Sequence, residues 1–210
     1  MKVLAIDTST DRASLALRVD RVTVWQREFG SRQSHSTELF PALEEAIGLA
    51  DGYVGCIAVG LGPGSYAGVR IGIAAAQGMA LVMGCALVGL PSVLALGGGE
   101  LSSLGGDKGE DFQVIGDARR EAWYYSRVQN GECVEGPSLV ESADVLRELL
   151  KGREEVVVAT DSLEGWDVTV RLPRAEILAM LAENGRGIVQ RGNLEPLYLR
   201  EVHITLPKEK

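Results

Sequence analysis

Lys2 to Thr8 is a short apolar run closed by Asp7-Thr8-Ser9-Thr10, which predicts a strand ending in a polar turn. From Ala13 to Val19 the apolar residues Ala13, Leu15, Leu17 and Val19 fall on alternate positions, the period of a second strand. Asp20-Arg21 is a turn candidate and Val22 to Phe29 a third strand, broken by Gly30-Ser31. Ser34 to Ala50 changes period. Leu39, Leu43, Ala46 and Ala50 form one helical stripe, widened by Phe40 and Ile47. Ser34 or Ser36 can cap this helix, and Glu38 suits its first turn. Pro41 removes a backbone donor and predicts a bend or a late start.

Cys56-Ile57-Ala58-Val59 then reads as a buried strand, and Gly60-Leu61-Gly62-Pro63-Gly64-Ser65 as a glycine-rich turn. A long helix follows from near Ala67 to Met83. From Val69 onward only Arg70 and Gln77 are polar, so this helix has no polar face. Ile71 to Leu90 has the length of a membrane span, but Gly72, Gly78, Gly84 and Gly89 dilute it and Pro91 follows. The preferred reading sets one face on a sheet and the other on a partner, because monomers rarely leave large apolar patches bare. Gly68, Gly72, Ala74, Ala75, Ala76 and Gly78 would let a second helix approach closely. Cys85 to Val88 predicts a short strand and Pro91 to Leu96 a short helix.

Gly97 to Asp111 is glycine-rich and polar, the composition of a linker. Beyond it the order restarts. Phe112 to Gly116 predicts a strand ending in Asp117, Glu121 to Gln129 a second, and Glu132 to Val140 a third after the tight turn Asn130-Gly131. A helix over Ser142 to Leu150, a strand over Glu155 to Thr160 and a proline-led helix over Pro173 to Asn184 complete the half. Both halves thus read strand-strand-strand-helix-strand-helix. The expected organisation is an N-terminal subdomain over residues 1–100 and a smaller C-terminal one over residues 101–210. Duplicated halves of this order are the layout of the α/β actin-like ATPase (ASKHA) fold, with nucleotide between the halves. Asp7 and Asp117 occupy the two places that lie near phosphate and metal in that layout.

Charge and chemistry narrow the function. Net charge is −8, from 29 acidic and 21 basic residues, which disfavours strong autonomous binding to a nucleic-acid backbone. Arg119, Arg120 and Arg127 could form a local basic patch, or simply a solvated face. Trp123, Tyr124 and Tyr125 could stack on a base; strand alternation instead makes them half core, half surface. Cys56, Cys85 and Cys133 form no C-x-x-C pair and suit reduced thiols in a cytosolic protein. The first residues enter a strand directly and show no signal-peptide pattern. The glycine turn lacks the lysine of a Walker loop. Gly62 to Ala67 fits a loose G-x-G-x-x-A, but Ile71 to Gly99 supplies no acidic residue for a ribose. Asp7, Thr8, Ser9, Gly62, Gly64 and Asp117 are candidate nucleotide contacts. Asp7, Thr8 and Ser9 equally suit a polar strand end that needs no ligand.

Six segments appear in order that together resemble one family: VLAIDTST, RQSHSTELFPALEEAI, VGLGPGSYAGVRIGIAAAQGMAL, VIGDARREAWYYS, the proline-led helix start Leu172-Pro173-Arg174-Ala175-Glu176, and PLYLR. The chain looks like a member of the TsaB (YeaZ) family, the non-catalytic paralogue of TsaD in making threonylcarbamoyladenosine in tRNA. The resemblance covers nearly the whole chain, and the Gly62–Gly72 segment is its most specific part. It implies a scaffold subunit that binds a TsaD-like transferase, works with a TsaE-like ATPase, forms a homodimer when alone, and meets tRNA only through its partners. It implies a cytoplasmic protein with no membrane span and no catalytic residue of its own. TsaD carries a His-x3-His metal motif after the corresponding helix; Ser92 and Leu96 stand at those places, so no metal site is expected. The family pairs its first two helices with those of its partner. Leu39, Leu43, Ile47, Val69, Ile73 and Ala76 are the candidate interface positions, with the alternative that about half of them face the sheet. Thr160-Asp161-Ser162-Leu163 replaces a glycine-richer turn, which weakens any ATP or ADP site. An actin-like phosphotransferase using Asp7, Gly62, Gly64 and Asp117 is the alternative function.

Overall fold

The computed structural model describes residues 1–30, 35–97, 110–190 and 193–200. Three antiparallel strands open the chain: β1 (Lys2–Asp7), β2 (Arg12–Val19) and β3 (Val22–Gly30). Helix α1 (His35–Leu49) leads to β4 (Cys56–Gly60), and helix α2 (Tyr66–Met83) to β5 (Ala86–Leu90); both strands run parallel to β1. A 3-10 turn, Ser92–Leu96, closes the first half. The second half repeats the scheme with β6 (Phe112–Asp117), β7 (Trp123–Gln129), β8 (Glu132–Val140), α3 (Ala143–Leu150), β9 (Val156–Ala159) and β10 (Thr169–Val170). Here too the first three strands are antiparallel, and β9 and β10 continue parallel to β6. This duplication is the actin-like fold.

Local chemistry explains the elements. Both hairpin turns, Asp20-Arg21 and Asn130-Gly131, hold positive φ at their two central residues (48°, 69°, 51° and 74°), the backbone that matches strand twist. Ser142 caps α3 by accepting from the Val145 N–H at 3.3 Å. Ser65 caps α2 in the same way through Gly68, and left-handed Gly84 ends it. Helix α1 continues through Pro41 and does not start late. The candidate cap Ser34, the side chain of Ser36, residues 98–109 of the glycine-rich stretch and the tail past Arg200 lie outside the described residues.

Strand β1 is buried along nearly its whole length because both faces of the first sheet are covered. Leu4 and Ile6 face a core shared with Leu15, Leu17 and the inner stripes of α1 and α2. Val3 and Ala5 face a second core, which joins Leu94, Leu96, Phe112 and Val114 across the two halves.

That second core corrects the expected boundary. Helix α4 (Ala175–Glu183) was assigned by pattern to the C-terminal half, yet it packs on β1, β2 and β4. The final strand β11 (Ile188–Gln190) pairs antiparallel with β5 at the edge of the first sheet. The physical reason lies in α4 itself: Ala175, Ile177, Leu178, Ala179, Leu181 and Ala182 are all buried, and the open face of the first sheet can cover them. Pro173 precedes the Arg174 cap position and is not the first helical residue. Arg174 gives no side-chain cap. Instead Ser14, on β2, accepts from the Ala175 N–H at 2.9 Å. Ser14→Ala is expected to cost about 1 kcal/mol, the worth of a helix cap, read as a lower urea midpoint. At the other end of α4, Glu183 meets Arg18 at 3.1 Å, both side chains buried, and accepts from the Arg21 N–H at 2.8 Å.

Candidate functional site

Two surface features bring candidate residues together. The first is a cleft of about 1000 Å³ between the halves, walled by the β1–β2 turn, the glycine turn, the end of β6, the stretch after β9 and the C-terminal segment to Arg200. Ser9, Gly62, Gly64 and Asp117 line it. Asp7 and Thr8 do not line it and are buried.

Asp7 is fully buried. Its Oδ1 accepts from the Ser9 N–H at 2.9 Å and the Ser9 hydroxyl at 2.6 Å. Its Oδ2 has no partner of normal geometry, although the Ser92 hydroxyl lies near enough to ease the charge. Burial pushes the carboxyl pKa up; the Ser9 bonds and then Ser92 oppose it, and burial prevails. A Cβ on Gly60 would fall 2.0 Å from Asp7 Oδ2 and 2.5 Å from Ser92 Oγ, so β4 must end in glycine here. Thr8 donates its hydroxyl to the Gly68 carbonyl at 2.7 Å, pinning β1 to α2. These side chains tie the chain to itself.

The first turn of α2 is likewise engaged. Ser65 N–H donates to the Ser9 carbonyl at 2.6 Å, and Gly68 N–H to Ser65 Oγ at 3.2 Å. Gly64 is required because any Cβ would lie 2.1 Å from that Ser9 carbonyl. Asp117 accepts from the Arg119 N–H at 2.6 Å. Arg12, Arg119 and Arg200 line the cleft together with Asp11, Asp117 and Asp161. The Ser9, Ser65 and Gly68 N–H groups and the Ser9 hydroxyl are thus engaged by protein atoms. Ser92 and Leu96 are both buried, and Ser92 Oγ accepts from the Gly62 N–H at 3.0 Å. Among the described residues no three His, Cys, Asp or Glu side chains converge as a metal site.

The second feature is a groove of about 620 Å³ between α1 and α2, lined by apolar side chains alone. Five of the six candidate interface residues are not in it. Leu39, Leu43, Val69, Ile73 and Ala76 face the first sheet and are buried there; Ile47 alone lines the groove. The groove-lining stripe is Phe40, Ile71, Ala74, Gly78, Met79 and Val82 with Met83 beside it. Val82 is 87% exposed and its neighbour Leu81 84%. A helix on a sheet buries one stripe, and in α2 both opposing stripes are apolar, so periodicity could not separate them. The outward stripe carries Ala74 and Gly78, and a Cβ on Gly78 would meet nothing within 4 Å. Helix α2 has the length and apolar composition of a membrane span, but its inner stripe packs on β4, β1 and β5.

The aromatic segment is consumed internally. Tyr124 and Tyr125 are buried, and Trp123 packs on Trp166 with ring centroids 5.0 Å apart. Arg127 pairs with Glu155 at 2.8 Å, leaving Arg119 and Arg120 as the exposed arginines of the candidate patch. All three cysteines are free thiols; burial lifts Cys56 and Cys133 to about 11.

A family model described as "TsaD: tRNA N6-adenosine threonylcarbamoyltransferase" matches residues 29–181. The tRNA threonylcarbamoyladenosine biosynthesis protein TsaB of Escherichia coli is 30% identical over 230 aligned positions, covering 95% of each chain. An uncharacterized protein of Mycobacterium tuberculosis is 32% identical over 150 residues, which span 68% of this chain and 66%, just under two thirds, of that one. Among solved structures, YeaZ from Pseudomonas aeruginosa superposes with a TM-score of 0.67 at 23% identity, covering 94% of this chain and 99% of that chain, which shows the shared fold. The glycine turn and its helix, the duplicated sheets and these matches agree: the chain belongs to the TsaB (YeaZ) family, whose relatives in E. coli and Haemophilus influenzae are named for tRNA threonylcarbamoyladenosine biosynthesis.

Proposed function

We propose that this chain is a non-catalytic subunit that docks through its α1–α2 groove onto a TsaD-like transferase and supports threonylcarbamoyl transfer to adenosine in tRNA. The groove carries the reading: it is apolar, floored by Ala74 and Gly78, and open to an incoming helix pair. Small residues at a helix face allow backbones to approach, and burying Phe40, Leu81 and Val82 supplies the driving force. A second copy presents the same groove, so the chain alone forms a homodimer that the transferase replaces. The matched family model fits this reading, because a transferase built on the same duplication would offer a similar helix pair.

The cleft supports the non-catalytic part. A phosphotransferase needs an ionised aspartate open to its nucleotide, whereas Asp7 is sealed under Ser9 and Ser92. Ser92 and Leu96 cannot replace imidazole ligands, so the catalytic metal belongs to the partner. The TsaE-like ATPase joins the larger assembly, tRNA is reached through the transferase, and the chain works in the cytoplasm.

The test is reconstitution. The transferase and ATPase subunits from the same genome are supplied with a threonylcarbamoyl donor and tRNA, with and without this chain. Product formation is expected to fall to background in its absence. Equal product without it, or ATP hydrolysis by this chain alone, would overturn the proposal.

A further inference from the structure

The segment from Leu194 to Arg200 forms neither helix nor strand, yet it is anchored on both sides of the cleft. Leu194 is buried in the first core, and its carbonyl accepts from Gln77 Nε2, on α2, at 3.2 Å. Leu197 N–H donates to the Leu61 carbonyl of the glycine turn at 2.8 Å. The Tyr198 ring packs on Tyr66, the first residue of α2, with centroids 5.8 Å apart. On the far side, Arg200 Nη2 donates to the Arg119 carbonyl at 3.1 Å.

That carbonyl sits in a strained turn. Arg119, Arg120 and Glu121 have φ of 64°, 55° and 62°, three consecutive non-glycine residues in the left-handed region. Such a run is disfavoured by contact between Cβ and the following carbonyl, and it persists only where surrounding bonds over-determine it. Here the holding bonds are Arg119 N–H to Asp117 Oδ1, Ala118 N–H to the Ala122 carbonyl at 2.9 Å, Ala122 N–H to the Arg119 carbonyl at 3.2 Å, and Arg200 from across the cleft onto that same carbonyl.

We propose that Leu194–Arg200 is a latch: it closes the mouth of the cleft and holds the Arg119–Glu121 turn in its left-handed form. When Tyr198 and Arg200 lift away, the mouth opens and the turn relaxes. Because the same strap touches α2 at Tyr66 and Gln77, the latch couples the state of the cleft to that helix. The latch stands on contacts within this chain and does not depend on what docks in the α1–α2 groove.

Hydrogen–deuterium exchange on the full chain tests it, comparing wild type with Tyr198→Ala, Arg200→Ala and the ring-preserving Tyr198→Phe. Tyr198 is exposed and Arg200 half-buried, and neither belongs to a hydrophobic core, so the variants keep their cores. In the two alanine variants the amides of Ala118, Arg119 and Ala122 and that of Ser65 are expected to exchange about tenfold faster, as for a local opening, with β1 and β4 unchanged. Tyr198→Phe should exchange like wild type. Turn amides unchanged in both alanine variants would overturn the latch. So would acceleration spread equally over β1 and α1, because a latch acts only at the mouth.

Discussion

Replacing Asp7 by asparagine is expected to leave the chain at least as stable at pH 7 as the wild type, and to flatten its stability against pH. The cause is burial. The folded carboxyl holds its proton more tightly than an unfolded one, whose pKa is about 4. A raised folded value stabilises fully below the unfolded pKa, and that contribution is lost as pH rises through the folded one. The wild type therefore loses stability upward from about pH 4 through this group, and Asp7→Asn, which cannot ionise, does not. The amide keeps an oxygen for Ser9 and can turn its NH2 toward Ser92. Asp7→Ala is a different case. It orphans the Ser9 N–H and hydroxyl and should cost about 1–3 kcal/mol relative to asparagine. Urea midpoints from pH 5 to 8 decide the matter. A wild type more stable than Asp7→Asn across that range would mean that the Ser9 bonds hold an ionised carboxylate. Asp7→Asn should also sustain transfer in the reconstituted system, since Asp7 is buried and bonded to Ser9.

The second large effect separates the two stripes of α2. Ala76→Arg places a guanidinium in the first core, where Ala76 is fully buried, and should cost about 4 kcal/mol or more, enough to unfold a marginal chain. Val82→Arg, on the outward stripe, should change stability by no more than about 0.5 kcal/mol. Circular dichroism during urea unfolding reads both. The reverse ranking would rotate α2 by half a turn and bury the groove.

Much of this fold was legible in the chain. Apolar runs and alternation gave β1 to β9 within a few residues, and Ser142 marked a helix start that it does cap. Strands β10 and β11 were not legible, because two or three residues carry no period. The placement of α4 was hidden for another reason: its apolar surface says that it must be covered, not by which sheet. The site was read less well. Asp7 looked like a ligand because strand-end aspartates recur at phosphate sites, and only the structure shows Ser9 and Ser92 enclosing it. Of the six candidate interface residues, Leu39, Leu43, Val69, Ile73 and Ala76 fall on the buried stripes and Ile47 on the groove, a division that periodicity could not make because both stripes are apolar.

The most direct measurement is light scattering behind a sizing column, with this chain alone and mixed with the TsaD-like protein of the same genome. The wild type should run as a homodimer and shift to a one-to-one complex on mixing. Val82→Arg and Gly78→Arg, folded by circular dichroism, should run as monomers and leave the partner unshifted. If either variant binds the partner as the wild type does, the α1–α2 groove is not the docking surface. If the wild type ignores the partner, the scaffold role itself is contradicted.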